Sequence, residues 1–105
     1  PYILAGNLDT YESIAEEYNL FTNELLRYND LKKSRELVPG TVVYLQKKKA
    51  RAQRHMEIHI AVEGDTYYDV SQKYGVRMKQ LFRYNDYKSG DILYVGDEIF
   101  LRRHK

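Results

Sequence analysis

The sequence has no cysteine, no tryptophan, only two prolines and six glycines among 105 residues, and no long apolar run. Without cysteine, neither disulfides nor thiolate metal sites can hold the fold together, and the compartment stays open, since cysteine-free proteins occur on both sides of a membrane. Without an apolar stretch of about 20 residues there is no candidate spanning helix. A signal-peptide pattern is also missing. The chain opens on Pro1, which reads as a piece of a longer protein, so the missing export signal carries no information. The length allows one ordinary domain or two very small ones. A strong charge of one sign is absent as well, because the net charge is only +2. That value sums unlike parts: residues 1–46 carry −3, residues 47–57 carry +4 and residues 58–105 carry +1. The basic excess sits in one short segment.

What the chain does have is itself twice. LLRYND at 25–30 recurs as LFRYND at 81–86, and a constant offset of 56 extends the match outward without a gap. Asp9-Thr10-Tyr11 falls on Asp65-Thr66-Tyr67, Tyr18 on Tyr74, Leu37 on Leu93, Gly40 on Gly96 and Leu45 on Leu101. One unit of about 45 residues is present in two copies. The expected boundaries are 1–46 for the first, 47–57 for a basic linker and 58–105 for the second.

Each copy opens on an extended segment, Tyr2-Ile3-Leu4 or residues 58–62, where Ile58, Ile60 and Val62 alternate with other residues at the strand period. Thr10 and Thr66 fit helix N-caps, and Asp69 supplies the acidic half of a capping box. Tyr11, Ile14, Ala15 and Tyr18 then recur at helical spacing, as do Tyr67, Val70, Ser71 and Tyr74. Asn19 and Gly75 stand where a left-handed residue ends a helix. A second helix is expected over residues 23–29 and 78–85, with Leu25/Leu26 and Leu81/Phe82 as its buried pairs. Residues 42–45 and 98–101 form a closing strand. The fold class is α+β: two βααβ units, each a two-stranded antiparallel sheet with two helices on one face.

In the second copy, the strand followed by Gly64-Asp65-Thr66, the Tyr74-Gly75-Val76 helix end, the Leu81-x-x-x-Asn85 helix and the late Gly96 together resemble a LysM domain from end to end. The first copy departs from that pattern at Leu8, where the family usually has glycine, so its opening turn and its groove are expected to differ. The tandem most resembles the C-terminal region of glucosaminidase-type peptidoglycan hydrolases of Bacteroides-like bacteria. The resemblance implies a non-catalytic module that binds N-acetylglucosamine-containing glycan, above all peptidoglycan. It also implies a catalytic domain elsewhere in the parent chain, a glucosaminidase or amidase, and a place in the cell envelope. No cofactor is implied.

By position in the family, sugar lies between the loop before the first helix and the loop after the second. This nominates Gly64, Asp65, Thr66, Tyr67 and Tyr68 with Ser89, Gly90, Asp91, Ile92 and Leu93 in the second copy. In the first it nominates Asp9, Thr10 and Tyr11 with Ser34, Arg35, Glu36 and Leu37. An N-acetyl group offers a donor, an acceptor and a methyl, which suits backbone groups beside an apolar contact such as Leu37 or Leu93. Tyr67 lies on the helical core face, which leaves Tyr68 and Tyr87 as the exposed aromatics. Asn29 and Asn85, four residues after a core leucine, face inward and satisfy backbone groups at the helix end. His55, His59 and His104 lack ligand spacing and read as solvated. A unit this small offers no deep cleft for a paired-carboxylate glycosidase.

Lys47-Lys48-Lys49 with Arg51 and Arg54 read as a flexible, solvated linker that lets two weak sites engage one polymer. Two other function classes stay open. One is a protein-contact scaffold that has lost its glycan groove, and the other is a nucleic-acid binder working through the linker charges.

Overall fold

Each first helix begins where a threonine hydroxyl takes over the role of the missing carbonyl. Thr10 Oγ1 accepts from the Ser13 amide at 2.9 Å while Ser13 Oγ accepts from the Thr10 amide at 2.9 Å. Thr66 and Asp69 form the same reciprocal pair at 3.1 Å in both directions. The computed structural model describes residues 1–88 and 91–103. It divides into two units, Pro1–Lys48 and Lys49–Lys105.

The first unit runs β1 (Tyr2–Leu4), α1 (Tyr11–Glu17), α2 (Thr22–Tyr28), β2 (Val42–Tyr44). The second runs β3 (Ile58–Ile60), α3 (Tyr67–Tyr74), α4 (Met78–Tyr84), β4 (Glu98–Phe100). The strands pair antiparallel within each unit, with Ile3 opposite Val43 and His59 opposite Ile99. Bonds flanking the sheets repeat at the offset of the sequence. Ala5 donates to Thr41 and Ala61 to Asp97, both at 2.9 Å, while Leu45 donates to Pro1 at 3.1 Å and Leu101 to Glu57 at 2.8 Å. After the first helix of each unit the chain turns through the left-handed region at Asn19 and Gly75.

Each unit has its own core. Tyr11, Ile14 and Ala15 of α1 meet Leu25 and Leu26 of α2 over Ala5 and Val43. Val70 and Leu81 meet Ala61, Val76, Ile99 and Leu101. The alternation in the opening strands marks two faces, and in β3 the large aliphatic side chains occupy the outer one, whereas Ile3 of β1 packs inward. Ile58, Ile60 and Val62 are exposed, whereas His59 and Ala61 are buried. Tyr2 and Leu4 are likewise exposed while Ala5 is buried. The inner face, with Ile3 and Ala5 in the first unit and His59 and Ala61 in the second, is the one that meets the helices. Phe82, expected in a buried pair with Leu81, is only half-buried.

The recurrent asparagine joins helix to strand. Asn29 Nδ2 donates to the Leu25 carbonyl at 2.8 Å and to the Tyr44 carbonyl at 2.9 Å, and its Oδ1 accepts from the Tyr44 amide at 2.8 Å. Asn85 repeats this with Leu81 and Phe100 at 2.8, 2.8 and 2.7 Å. The side-chain amide thus mimics a strand partner for one residue of the closing strand. The following Asp30 and Asp86 take positive φ values of 56° and 49°, turning the chain into the loop.

Part of the segment expected to be a flexible, solvated linker is built into the units instead. Lys48 is buried, with Nζ 2.7 Å from Asp30 Oδ2 and 5.8 Å above the Tyr44 ring. Burial pushes its ammonium pKa down and the Asp30 carboxylate counteracts that shift. Lys49 bridges Val76 in parallel, donating to the Gly75 carbonyl and accepting from the Arg77 amide, both at 2.9 Å. Ala52 is buried and donates to Leu101 at 3.1 Å, and the Tyr84 hydroxyl donates to the Ala50 carbonyl at 2.6 Å. Alternating basic residues with Ala50 and Ala52 gave this strap an apolar side that its charge concealed.

Because each asparagine serves three bonds, Asn29→Ala and Asn85→Ala are each expected to cost about 2–4 kcal/mol, the loss of net hydrogen bonding plus the penalty for buried and part-buried backbone groups left unmet. Urea unfolding followed at each unit by NMR checks this. A loss below about 1 kcal/mol would contradict the role assigned to the amide.

Candidate functional site

The turn before α3 is set by backbone geometry and one carboxylate. Gly64 has a φ of 87°, the conformation a type II turn needs at its third residue. Asp65 Oδ2 accepts from the Val62 amide at 2.9 Å and faces His59 Nε2 at 2.8 Å. A carboxylate only accepts, so His59 Nε2 carries a proton there. On the other side of the ring, Nδ1 lies 2.8 Å from the Tyr74 hydroxyl. His59 is therefore not solvated as expected. It is only 8% exposed and links the turn to the end of α3. Its counterpart Ile3 carries no such group, which is why the repeat gave no signal for it. The His59 bond, then the Val62 amide, holds the Asp65 carboxyl below its ordinary value.

Beside this turn lies an aromatic group. The Tyr67 ring centroid is 5.5 Å from Phe82 and 4.8 Å from Tyr87, and Phe82 and Tyr87 stack at 4.3 Å. In the first unit these positions are Tyr11, Leu26 and Leu31, of which Tyr11 and Leu26 are buried in the core. Tyr67 is half-buried, so it serves the core and also lines a surface cleft. Tyr68 is not the exposed ring that was expected. It is half-buried with its hydroxyl enclosed. Tyr87 is half-buried too, against Phe82.

The cleft measures about 270 Å³ and brings Tyr67 of α3 together with Ile92 and Leu93 of the loop after α4. Tyr84, Asn85, Asp86, Asp97, Glu98 and Phe100 complete it. Of the nominated residues, Tyr67, Ile92 and Leu93 line the cleft itself. Leu93 packs on the core, whereas Ile92 is exposed. Asp65 and Thr66 build the neighbouring turn, and Asp91 folds the loop by accepting from the Lys88 amide at 2.8 Å. Ser89 and Gly90 lie outside the described residues. Asp97, Glu98 and Phe100 went unnominated because they belong to the closing strand and its turn. The paired register that brings strand residues beside Tyr67 is invisible in a linear pattern.

Burial, and then the Asp91 and Asp97 carboxylates, raise the Tyr67 hydroxyl above its ordinary value, so it remains protonated at neutral pH. The site therefore combines aromatic and aliphatic surface with carboxylates that can only accept and a hydroxyl that can donate. That chemistry suits a ligand with hydroxyl and amide donors beside apolar patches. Among the described residues, no group of three or more His, Asp or Glu side chains is placed to hold a metal ion.

In the first unit, Ser34 Oγ donates to Glu12 Oε1 at 3.2 Å, tying the loop after α2 to the first turn of α1. Asp9 closes the opening turn by accepting from the Gly6 amide at 2.7 Å. Leu8 is 94% exposed and, unlike Gly64, is not among the residues with positive φ, so the turn does differ between the copies. Tyr11 and Leu37 are buried, Arg35 and Glu36 are exposed, and Thr10 is the helix cap. A wider depression of about 560 Å³, lined by Phe21, Thr22, Asn23, Glu24 and Arg27, includes none of the nominated residues.

The model of the LysM domain matches residues 9–46 and 59–102, and the chain belongs to that family, with two domains in tandem. LysM is a non-catalytic binding domain. No curated protein matches the chain. Among solved structures, the spore cortex-lytic enzyme SleL of Bacillus cereus is similar at 23% identity with a TM-score of 0.41. It is matched over 100% of this chain and 23% of its own length. SleL of Bacillus megaterium is similar at 20% identity and 0.41, over 98% of this chain and 22% of its own. The chain thus spans under a quarter of the length of these proteins. No helix among the described residues is long and apolar enough to cross a membrane.

With its folded pKa depressed, Asp65 contributes stability that is present above the unfolded carboxyl value near ~4 and is lost as pH falls through the folded value. Asp65→Asn should flatten the acid side of the stability curve of the second unit. Melting followed at Val70 and Ile99 between neutral pH and about pH 2 reads this directly. An unchanged acid slope would refute the assignment.

Proposed function

We propose that this chain is a carbohydrate-binding region that recognises N-acetylglucosamine-containing glycan, in particular peptidoglycan, and holds an attached cell-wall hydrolase on its substrate. Membership of the LysM family over both repeats supports the ligand class. The observation that carries the reading for this chain is the cleft where Tyr67, Ile92 and Leu93 meet the carboxylates of Asp97 and Glu98. An N-acetyl methyl finds apolar surface there, and sugar hydroxyl and amide donors find acceptors. The working site is assigned to the second unit, with Gly64, Asp65, Thr66 and Tyr68 shaping its turn and Asp91 folding its far loop. The corresponding first-unit residues, Asp9, Thr10, Tyr11 and Ser34 to Leu37, form the weaker site, because the buried Tyr11 offers no ring. The parent hydrolase is assigned as a glucosaminidase or amidase acting in the cell envelope.

A second reading draws on the outer sheet face. Ile58, Ile60 and Val62 are exposed along β3 and just beyond it, with the half-buried Phe100 opposite Ile58 and Glu98 opposite Ile60, a largely apolar row suited to protein contacts. Both roles fit one module.

Titration of the labelled chain with N-acetylglucosamine oligomers should move Gly64 to Tyr68 and Asp91 to Leu93, with smaller changes at Asp9 to Tyr11. Tyr67→Ala should weaken binding at least about tenfold, in the range found when a central aromatic anchor is truncated. Failure of the folded chain to bind either these oligomers or protein-free peptidoglycan at moderate salt would reject the glycan reading and leave the protein-contact one.

A further inference from the structure

The second unit carries a cationic cleft beside the one just described. It measures about 780 Å³ and is lined by Arg51, Arg83, Arg102 and Arg103 with Tyr84, and Asp86 is its one carboxylate among the described residues. The arginines come from three places: the strap before β3, the exposed side of α4 and the residues after β4. Hydrogen bonds fix the backbone beside one of them and the side chain of another. The strap on either side of Arg51 is pinned by Tyr84 Oη on the Ala50 carbonyl at 2.6 Å and by the Ala52 amide on Leu101 at 3.1 Å. Arg102 Nη1 donates to the Ala52 carbonyl at 3.0 Å. A guanidinium held as that of Arg102 is loses less freedom on binding, and the planar forks of all four match carboxylate and phosphate oxygens.

The first repeat carries this arrangement only in part. Arg27 and Lys47 stand opposite Arg83 and Arg103, but Gln46 stands opposite Arg102 and the acidic Glu24 opposite Gln80. The two clefts of the second unit share Tyr84 and Asp86, so a chain lying in one continues into the other. Their signs are opposite. The first is rimmed by Asp86, Asp97 and Glu98 and disfavours anions, while the arginines favour them.

We propose that the arginine cleft is a second binding site, which takes carboxylate or phosphate groups carried by the glycan chain whose uncharged sugars occupy the neighbouring cleft. The proposal rests on the glycan reading for the identity of the polymer. The sign difference fixes how such a chain lies, with sugar donors toward Asp97 and Glu98 and acidic substituents toward Arg51, Arg83 and Arg103.

The test titrates the full labelled chain with a neutral N-acetylglucosamine tetramer, a glycan of the same length bearing peptide carboxylates, the same glycan bearing phosphate, and a single-stranded oligonucleotide. The neutral tetramer should move Tyr67 and Leu93. The acidic glycans should also move Arg51, Arg83 and Arg103 and bind at least about tenfold tighter, the scale of one charge-assisted contact. Whichever acidic glycan gains more names the natural anion. Replacing Arg51, Arg83 and Arg103 together by Gln, with Arg102 retained for its bond to Ala52, should abolish the gain and leave tetramer binding unchanged. Equal affinity for neutral and acidic glycans, a gain that survives the triple variant, or tight binding of the oligonucleotide alone would overturn the inference. Failure of the glycan reading itself shows differently, as unmoved Tyr67 and Leu93 with every glycan.

Discussion

One primary amide, used twice, holds each unit together at the point where helix must give way to strand. A helix end leaves carbonyls without partners, and a two-stranded sheet leaves one edge of its closing strand open. Asn29 and Asn85 meet both needs with one side chain, which donates to the last turn and exchanges two bonds with the strand backbone. The loop that begins at the next residue therefore starts from a fixed point. In the second unit that loop carries Ile92 and Leu93 to the cleft, so the site inherits its placement from the amide. Asparagine is suited to this because it has both donor and acceptor on one short arm. Aspartate would lack the donor and glutamine would reach too far.

The repeat made much of this architecture legible. The offset of 56 aligned caps, helix ends and glycines, and every element of one unit has its counterpart in the other. Thr10 and Thr66 cap as their spacing implied, and the inward direction of Asn29 and Asn85 followed from their distance to Leu25 and Leu81. What stayed hidden depended on pairings that a linear pattern does not encode. Period-two alternation separates two strand faces without saying which one the helices cover, so the burial of His59 beneath exposed Ile58 and Ile60 had no linear signal. The strap at 49–52 looked like a solvated linker because its basic residues dominated its composition, although its backbone completes hydrogen bonds with Gly75, Arg77 and Leu101.

The two copies share a scaffold and differ in what they place on it. Where the first has Ile3, Leu8, Leu26 and Leu31, the second has His59, Gly64, Phe82 and Tyr87. Each change adds a polar link, a turn conformation or an aromatic ring around one cleft, while the core beneath keeps its aliphatic character. Two of these positions, Leu8/Gly64 and Leu31/Tyr87, lie on loops, which tolerate change more readily than a packed core, while His59 lies in β3 and Phe82 in α4. Arg102, where the first copy has Gln46, extends the divergence to an adjacent surface of the same unit.

The claim on which the account depends is that the asparagine side chains bond the closing strands as a partner strand would. Native-state hydrogen exchange of the Tyr44 and Phe100 amides tests it most directly, because each of these amides donates to an asparagine side chain. Both should exchange among the slowest amides of their units, opening only when the unit unfolds. Exchange of these two amides as fast as that of the loop residues around Val38 and Tyr94 would contradict it.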